Sequence, residues 1–243
     1  MTESKDQEQS LNMRTLTDLT GKRKYTYALL SLAFVVILTL VLYLVPDYYF
    51  LEKMTKETVQ KILGLYRFPV EDGGYYFELD DDKTLFVILT NIFVSLDGHG
   101  GDTPVIRSTN PLAYRQFAVV RACTGMQAGA LLLALIIVTP ADTKKKIKAS
   151  IYSLIALFIG NLLRIALVIG MTIQLQSAFG ASHADAWFWA HDVLGKPIGF
   201  FGTIFFAMVI ERQGVPILNT VSLWIDSFLD LLKKISDKIK QLF

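Results

Sequence analysis

From Tyr25 to Val45 the chain runs for about 21 residues without a single charge. Coiled as a helix at roughly 1.5 Å per residue, that run is about 30 Å long, the thickness of a bilayer's hydrocarbon core. It is longer than the apolar part of a secretory signal, and no small-residue cleavage site follows it. It reads as a retained first transmembrane helix over residues 25–45, preceded by a cytoplasmic tail over residues 1–24. The first ten residues (MTESKDQEQS) are polar, a composition that predicts disorder.

Three further apolar segments follow. Thr124 to Thr139 is apolar but short, Ala149 to about Leu175 is long enough to span with tilt, and Pro197 to Ile210 opens with a proline. Proline suits a helix start, where its missing N–H does no harm. Hydrophobic residues make up 52% of the chain, its mean hydropathy is positive and the apolar residues are bunched, which together are not the make-up of an ordinary soluble domain. The expected fold is an α-helical integral membrane protein of about four transmembrane helices. Orientation follows from the lysines. Arg14, Lys22, Arg23 and Lys24 precede the first helix, and Lys144, Lys145, Lys146 and Lys148 crowd the short segment between the second and third. Short basic loops stay in the cytoplasm. Both termini are therefore expected in the cytoplasm of a plasma-membrane, multi-pass protein, with residues 46–122 on the extracytoplasmic face.

That insertion reads as small and α+β. Phe50, Met54, Val59, Ile62 and Leu65–Tyr66 recur at helical spacing, predicting an amphipathic helix near the surface. After a break at Gly73–Gly74, the β-branched or aromatic runs Leu85–Leu89, Ile92–Leu96, Pro104–Arg107 and Phe117–Val120 predict a small sheet. Phe86 to Leu96 is too short to span a bilayer. Residues 123–210 form a core of helices two to four. Residues 211–243 form an amphipathic cytoplasmic tail: Val221, Trp224, Ile225, Phe228, Leu232, Ile235, Ile239 and Leu242 make an apolar stripe beside Lys233, Lys234, Lys238 and Lys240. Such a helix lies in the membrane interface, drawn to anionic lipid, or packs on a partner helix.

The chemistry-bearing residues are few. One cysteine, Cys123, excludes an intrachain disulfide and a multi-thiolate metal site. It sits in RACTGMQ, immediately before the second helix, where free backbone N–H groups and the helix dipole favour a thiolate. A lone membrane cysteine is more often a small buried hydrophobe, so position alone does not decide. Arg164, in GNLLRIALVIG, lies inside the third helix. A guanidinium there needs an anionic or carbonyl partner, or a hydrated cavity, and no Asp or Glu lies in any proposed span. Asn161 is one turn away and could share that cavity. His191, in WFWAHDVLGKP, precedes the fourth helix and brings an imidazole, the side chain suited to proton shuttling; an interfacial anchor beside Trp187 and Trp189 is the plainer reading. His99 sits in a glycine-rich turn and His183 is the third histidine. Neither a metal nor a cofactor is expected, because scattered histidines without an HExxH pattern supply no ligand set. The topology puts Cys123 and His191 at the outer ends of helices two and four, and Arg164 in the outer half of helix three. Thiol, imidazole and guanidinium together form a workable acyl-transfer set.

At these residues the chain resembles the exosortase/archaeosortase family of membrane cysteine transpeptidases. The likeness rests on ACTG with Cys123, Thr124 and Gly125, then Asn161-x-x-Arg164 within a later helix, then His191 at the head of the last one. The Cys-Thr-Gly form is similar to the archaeal branch. It covers roughly Phe117 to Ile210. The resemblance implies an enzyme that cleaves a C-terminal sorting signal (a short motif, a transmembrane helix and a basic tail) from exported proteins. The cut end would pass to a membrane anchor, with lipid as a possible acceptor, and nucleic acid is not an expected partner. Carried over, Cys123 is the nucleophile forming a thioester, Arg164 stabilises the thiolate or oxyanion, and His191 fills the third position. Asn161, Thr124 and Gly125 support them. Only about four spans and the sizeable insertion set this chain apart from larger members. Plain hydrolysis by the same site is one rival. A non-catalytic assembly factor tied together by Arg164 and Asn161 is a second, and a scaffold acylated on Cys123 a third.

Overall fold

The computed structural model describes residues 21–44, 49–76, 103–113 and 116–242 of the chain. Helices dominate it: α1 (Gly21–Leu44), α2 (Tyr49–Leu65), α3 (Met126–Val138), α4 (Thr143–Phe179), α5 (His183–Trp187), α6 (Lys196–Arg212) and α7 (Ile217–Leu242). A π-helical segment, Phe188–Gly195, joins α5 to α6, so His183–Arg212 is one continuous rod. Among the described residues three helices are long and apolar enough to cross a membrane: Lys22–Leu42, Thr143–Phe179 and His183–Arg212. The expected second span, α3, has 13 residues, about 20 Å of helix and shorter than a bilayer core.

What these helices expose identifies their solvent. Leu29, Leu30, Phe34, Ile37 and Val41 are exposed on α1, and Ile151, Ile155, Ile159, Leu163 and Leu167 recur every fourth residue along α4. Contiguous apolar faces of this extent are not tolerated in water, whereas hydrocarbon solvates them. The protein is a helical membrane protein.

The chain divides into two compact units. The first takes α1, residues 129–154 and residues 205–242. Polar ties between apolar helices hold it. Tyr27 Oη donates to the Val138 carbonyl at 3.1 Å, Trp224 Nε1 donates to Ser31 Oγ at 2.8 Å, and the Thr139 and Thr220 hydroxyls share a buried bond of 3.0 Å. These bonds, with buried Ile217 and Leu223, seat the first half of α7; from Phe228 onward its apolar stripe is exposed.

The second unit takes the remaining described residues up to Ala128 and residues 155–204. Its sheet has three antiparallel strands, β1 (Val70–Tyr76), β2 (Thr103–Ser108) and β3 (Gln116–Ala118), in the order β1-β2-β3. The expected strands at Pro104–Arg107 and Phe117–Val120 correspond to β2 and β3; those at Leu85–Leu89 and Ile92–Leu96 lie outside the described residues. The Gly73–Gly74 break is instead a bulge inside β1, where the pairing slips between Asp72 and Tyr75. Both glycines have a physical reason. A Cβ on Gly73 would stand 2.7 Å from Val105 Cγ1, and Gly74 has φ of 72°.

Helix α2 packs on this sheet with Glu52, Thr55, Lys56, Val59 and Leu63 buried, while Phe50, Met54 and Leu65 stay exposed. Its apolar periodicity is therefore split between two faces. Lys56 Nζ pairs with Asp72 of β1, tying helix to strand. A single core then joins sheet to membrane helix: Val59, Leu63, Ile106, Phe117 and Val119 pack against Leu162, Ile165, Ile169 and Ile173 of α4. Gly170 permits the approach, since a Cβ there would already lie 3.0 Å from the Phe68 ring.

Candidate active site

Cys123 does not lie in the first turn of α3. It sits in a one-turn 3₁₀ helix, Arg121–Thr124, separated from α3 by Gly125 in the left-handed conformation at φ 79°. Its own N–H donates to the Val120 carbonyl at 2.8 Å. Thr124 is buried, and its hydroxyl accepts from the Met126 N–H at 3.4 Å. The side chain of Cys123 is half-buried against the apolar core.

Asn161 secures this turn. Its amide Nδ2 donates to the Cys123 carbonyl oxygen, and a Cβ added at Gly125 would stand 3.2 Å from Asn161 Cγ. Gly125 thus meets two demands, a positive φ and a close approach. The sequence suggested that Asn161 shares a cavity with Arg164; the structure turns its amide onto the main chain of the cysteine turn instead.

Arg164 follows one helical turn later on α4, half-buried, with its guanidinium along α6: a Cβ at Gly199 would be 3.2 Å from Nη1. Among the described residues no carboxylate pairs with it.

His191 lies in the π segment. Such a segment widens the helix by one residue per turn and re-aims side chains. The Lys196 N–H reaches back five residues to the His191 carbonyl. Pro197 stands, as expected, at the start of an α-helix, the second residue of α6, but the π segment before it makes that start a junction within the continuous rod His183–Arg212. The imidazole stacks on Trp187 with centroids 4.7 Å apart and planes at 9°. Its Nδ1 lies 3.1 Å from Asp192 Oδ1, and that carboxylate also binds Lys196.

One cavity of about 450 Å³ collects these groups. Cys123, Arg164 and His191 all border it, although they are drawn from three elements. Residues 116–120 form one wall; Ile165, Val168 and Ile169 of α4 form another, with Trp187 beside them. His183 borders it too, a residue for which the sequence suggested no role. His183, Trp187 and His191 recur at intervals of four, one face of a helix, and that spacing was the available signal. The proline at 197, a helix-start signal, masks that spacing. His99 lies outside the described residues, and among the described residues no cluster of His, Cys, Asp or Glu could hold a metal.

Chemically, the cavity offers a thiol, an imidazole oriented by a carboxylate, and a cation with no counter-charge among the described residues, in mostly apolar walls. Such a set can generate a nucleophile and stabilise an oxyanion. Neither a curated protein nor a solved structure matches the chain. The family model described as Transmembrane exosortase (Exosortase_EpsH) matches residues 89–210, which include the cysteine turn, Asn161, Arg164 and His191. That match spans half of the chain and meets a helical membrane architecture, so the protein belongs to the transmembrane exosortase family.

Proposed function

We propose that this protein is a membrane-embedded cysteine transpeptidase that removes the C-terminal sorting signal of exported proteins and hands them to a membrane anchor. Exosortases are a family of membrane cysteine transpeptidases. The observation that carries the residue assignment is that Cys123, Arg164 and His191 border one cavity. In this reading the Cys123 thiolate attacks the scissile carbonyl, forming a C–S bond. Oxyanion charge develops against Arg164, the C–N bond breaks, and His191 gives its proton to the departing amine. Asp192 on Nδ1 leaves Nε2 for proton traffic with the thiol. The thioester then passes to an amine or hydroxyl of an anchor, with membrane lipid as the acceptor, or to water. Lys144, Lys145, Lys146 and Lys148 support a cytoplasmic α3–α4 connection, hence cytoplasmic termini and an extracytoplasmic cavity. The archaeal branch remains part of this proposal, on the ACTG motif alone.

A non-catalytic assembly factor is the second reading, favoured by the Asn161 tie to the cysteine turn and the packing of Arg164 on Gly199. Co-expression with an exported protein bearing a C-terminal helix and basic tail separates the two. Wild type is expected to shorten the substrate on a gel, while Cys123→Ser and Cys123→Ala accumulate normally and leave it intact. Trimming by both variants at the wild-type rate would remove Cys123 as nucleophile.

A further inference from the structure

We propose that the substrate enters this cavity as an added β-strand along the open edge of β3, so that main-chain pairing delivers the scissile bond to Cys123. The inference rests on the cysteine-nucleophile reading and deepens it by specifying how the peptide is held.

Strand β3 is the last in the order β1-β2-β3, and among the described residues only β2 pairs with it. The register shows which backbone groups are used. Phe117 stands opposite Ile106, and the Val119 N–H donates to the Pro104 carbonyl at 2.9 Å. In an antiparallel strand alternate residues point their N–H and C=O to opposite sides. Phe117 therefore turns both of its groups to β2 and Val119 its N–H, Pro104 having no N–H to offer the Val119 carbonyl, while Gln116, Ala118 and Val120 turn theirs to the other edge. The Val120 carbonyl accepts from the Cys123 N–H, which starts the cysteine turn. Gln116 and Ala118 are left with both groups on the edge, and Val120 with its N–H.

All five residues from Gln116 to Val120 border the cavity that Cys123 borders. A sheet edge beside a mostly apolar cavity is a poor place for unpaired peptide groups, and an extended peptide is the ligand whose own donors and acceptors repeat at the same interval. A helical substrate cannot serve, because its main-chain groups are already bonded within the helix. The segment at the cut is thus extended, and its recognition is carried by main chain, with small apolar side chains facing Ile165, Val168 and Trp187.

Acetyl-trialanyl chloromethyl ketone tests this without a known substrate. The thiolate displaces chloride, a C–S bond replaces the C–Cl bond, and intact mass reports labelling of Cys123 in the purified full-length protein. N-methylation of one peptide amide at a time is expected to slow labelling about tenfold at one alternate set of positions and less than about twofold at the other. Ala118→Pro removes an edge-facing N–H at a place where proline is compatible with an edge strand. It is expected to lower the ratio of peptide to chloroacetamide labelling about tenfold. Equal rates for every methylated peptide, with an unchanged ratio in Ala118→Pro, would overturn strand addition and leave the nucleophile reading standing. A Cys123 that neither reagent labels until the protein is unfolded would overturn both.

Discussion

The least conspicuous residue of the site is Asn161, whose side chain touches the main chain of the proposed nucleophile rather than the cavity. Its bond to the Cys123 carbonyl sets the height of the thiol relative to Arg164, one turn along the same helix. Asn161→Ala is expected to lower stability by about 1 kcal/mol. It should also slow iodoacetamide alkylation of Cys123 at every pH, because the thiol is displaced. A melting-temperature loss with an unchanged alkylation profile would reduce Asn161 to a purely structural tie. Gly125 belongs to the same device, since left-handed backbone and contact with Asn161 both exclude a side chain there.

At the scale of elements, the rod His183–Arg212 depends on its π segment to bring His191 over Trp187 and into the cavity. Gly195 closes that segment against α4: a Cβ there would meet Val168 Cγ2 at 2.8 Å and the Ala190 carbonyl at 3.2 Å. Neither neighbour is the loose end of a long side chain, so the two helices must part. Gly195→Ala is expected to destabilise by about 1–3 kcal/mol in detergent melts. Val168→Ala in the same chain should recover part of that loss, and additive effects in the double variant would refute the contact. Helix α2 shows the other side of element-level logic. Its charged residues Glu52 and Lys56 are buried and several of its apolar ones exposed, because the sheet takes one face and leaves the other to its surroundings.

For the whole molecule, the sheet and α2 share one core with residues 162–173 of α4, and the Lys56–Asp72 pair ties the helix to the first strand. The Lys56 ammonium, with the Gly74 N–H as a second donor, holds the Asp72 carboxyl below its ordinary range. A carboxylate depressed on folding contributes stability that is present above its unfolded pKa of about 3.9 and is lost as pH falls through the lower, folded value. Asp72→Asn should therefore melt earlier than wild type near neutrality, with the gap narrowing as the pH is taken down through the acid range. Parallel curves across that range would show that the pair carries no pH-dependent stability.

Hydropathy alone marked α1, α4 and the α6 region as membrane helices, α1 as an uncharged run of bilayer length and α4 as a long apolar run in spite of Arg164. The sequence also marked Cys123, Arg164 and His191 by their residue types, because a lone thiol, a cation in an apolar helix and an interfacial imidazole each stand out against an apolar background. In the sequence Gly73–Gly74 reads as a break and the helical stretch ahead of Pro197 goes unseen, because bulges and π turns are bonding registers with little compositional signal. The bond from Asn161 to the cysteine turn, the place of His183 and the edge of β3 that no described strand covers came only from tertiary structure. They depend on contacts between residues far apart in the chain, and short-range periodicity carries no information about which face meets which.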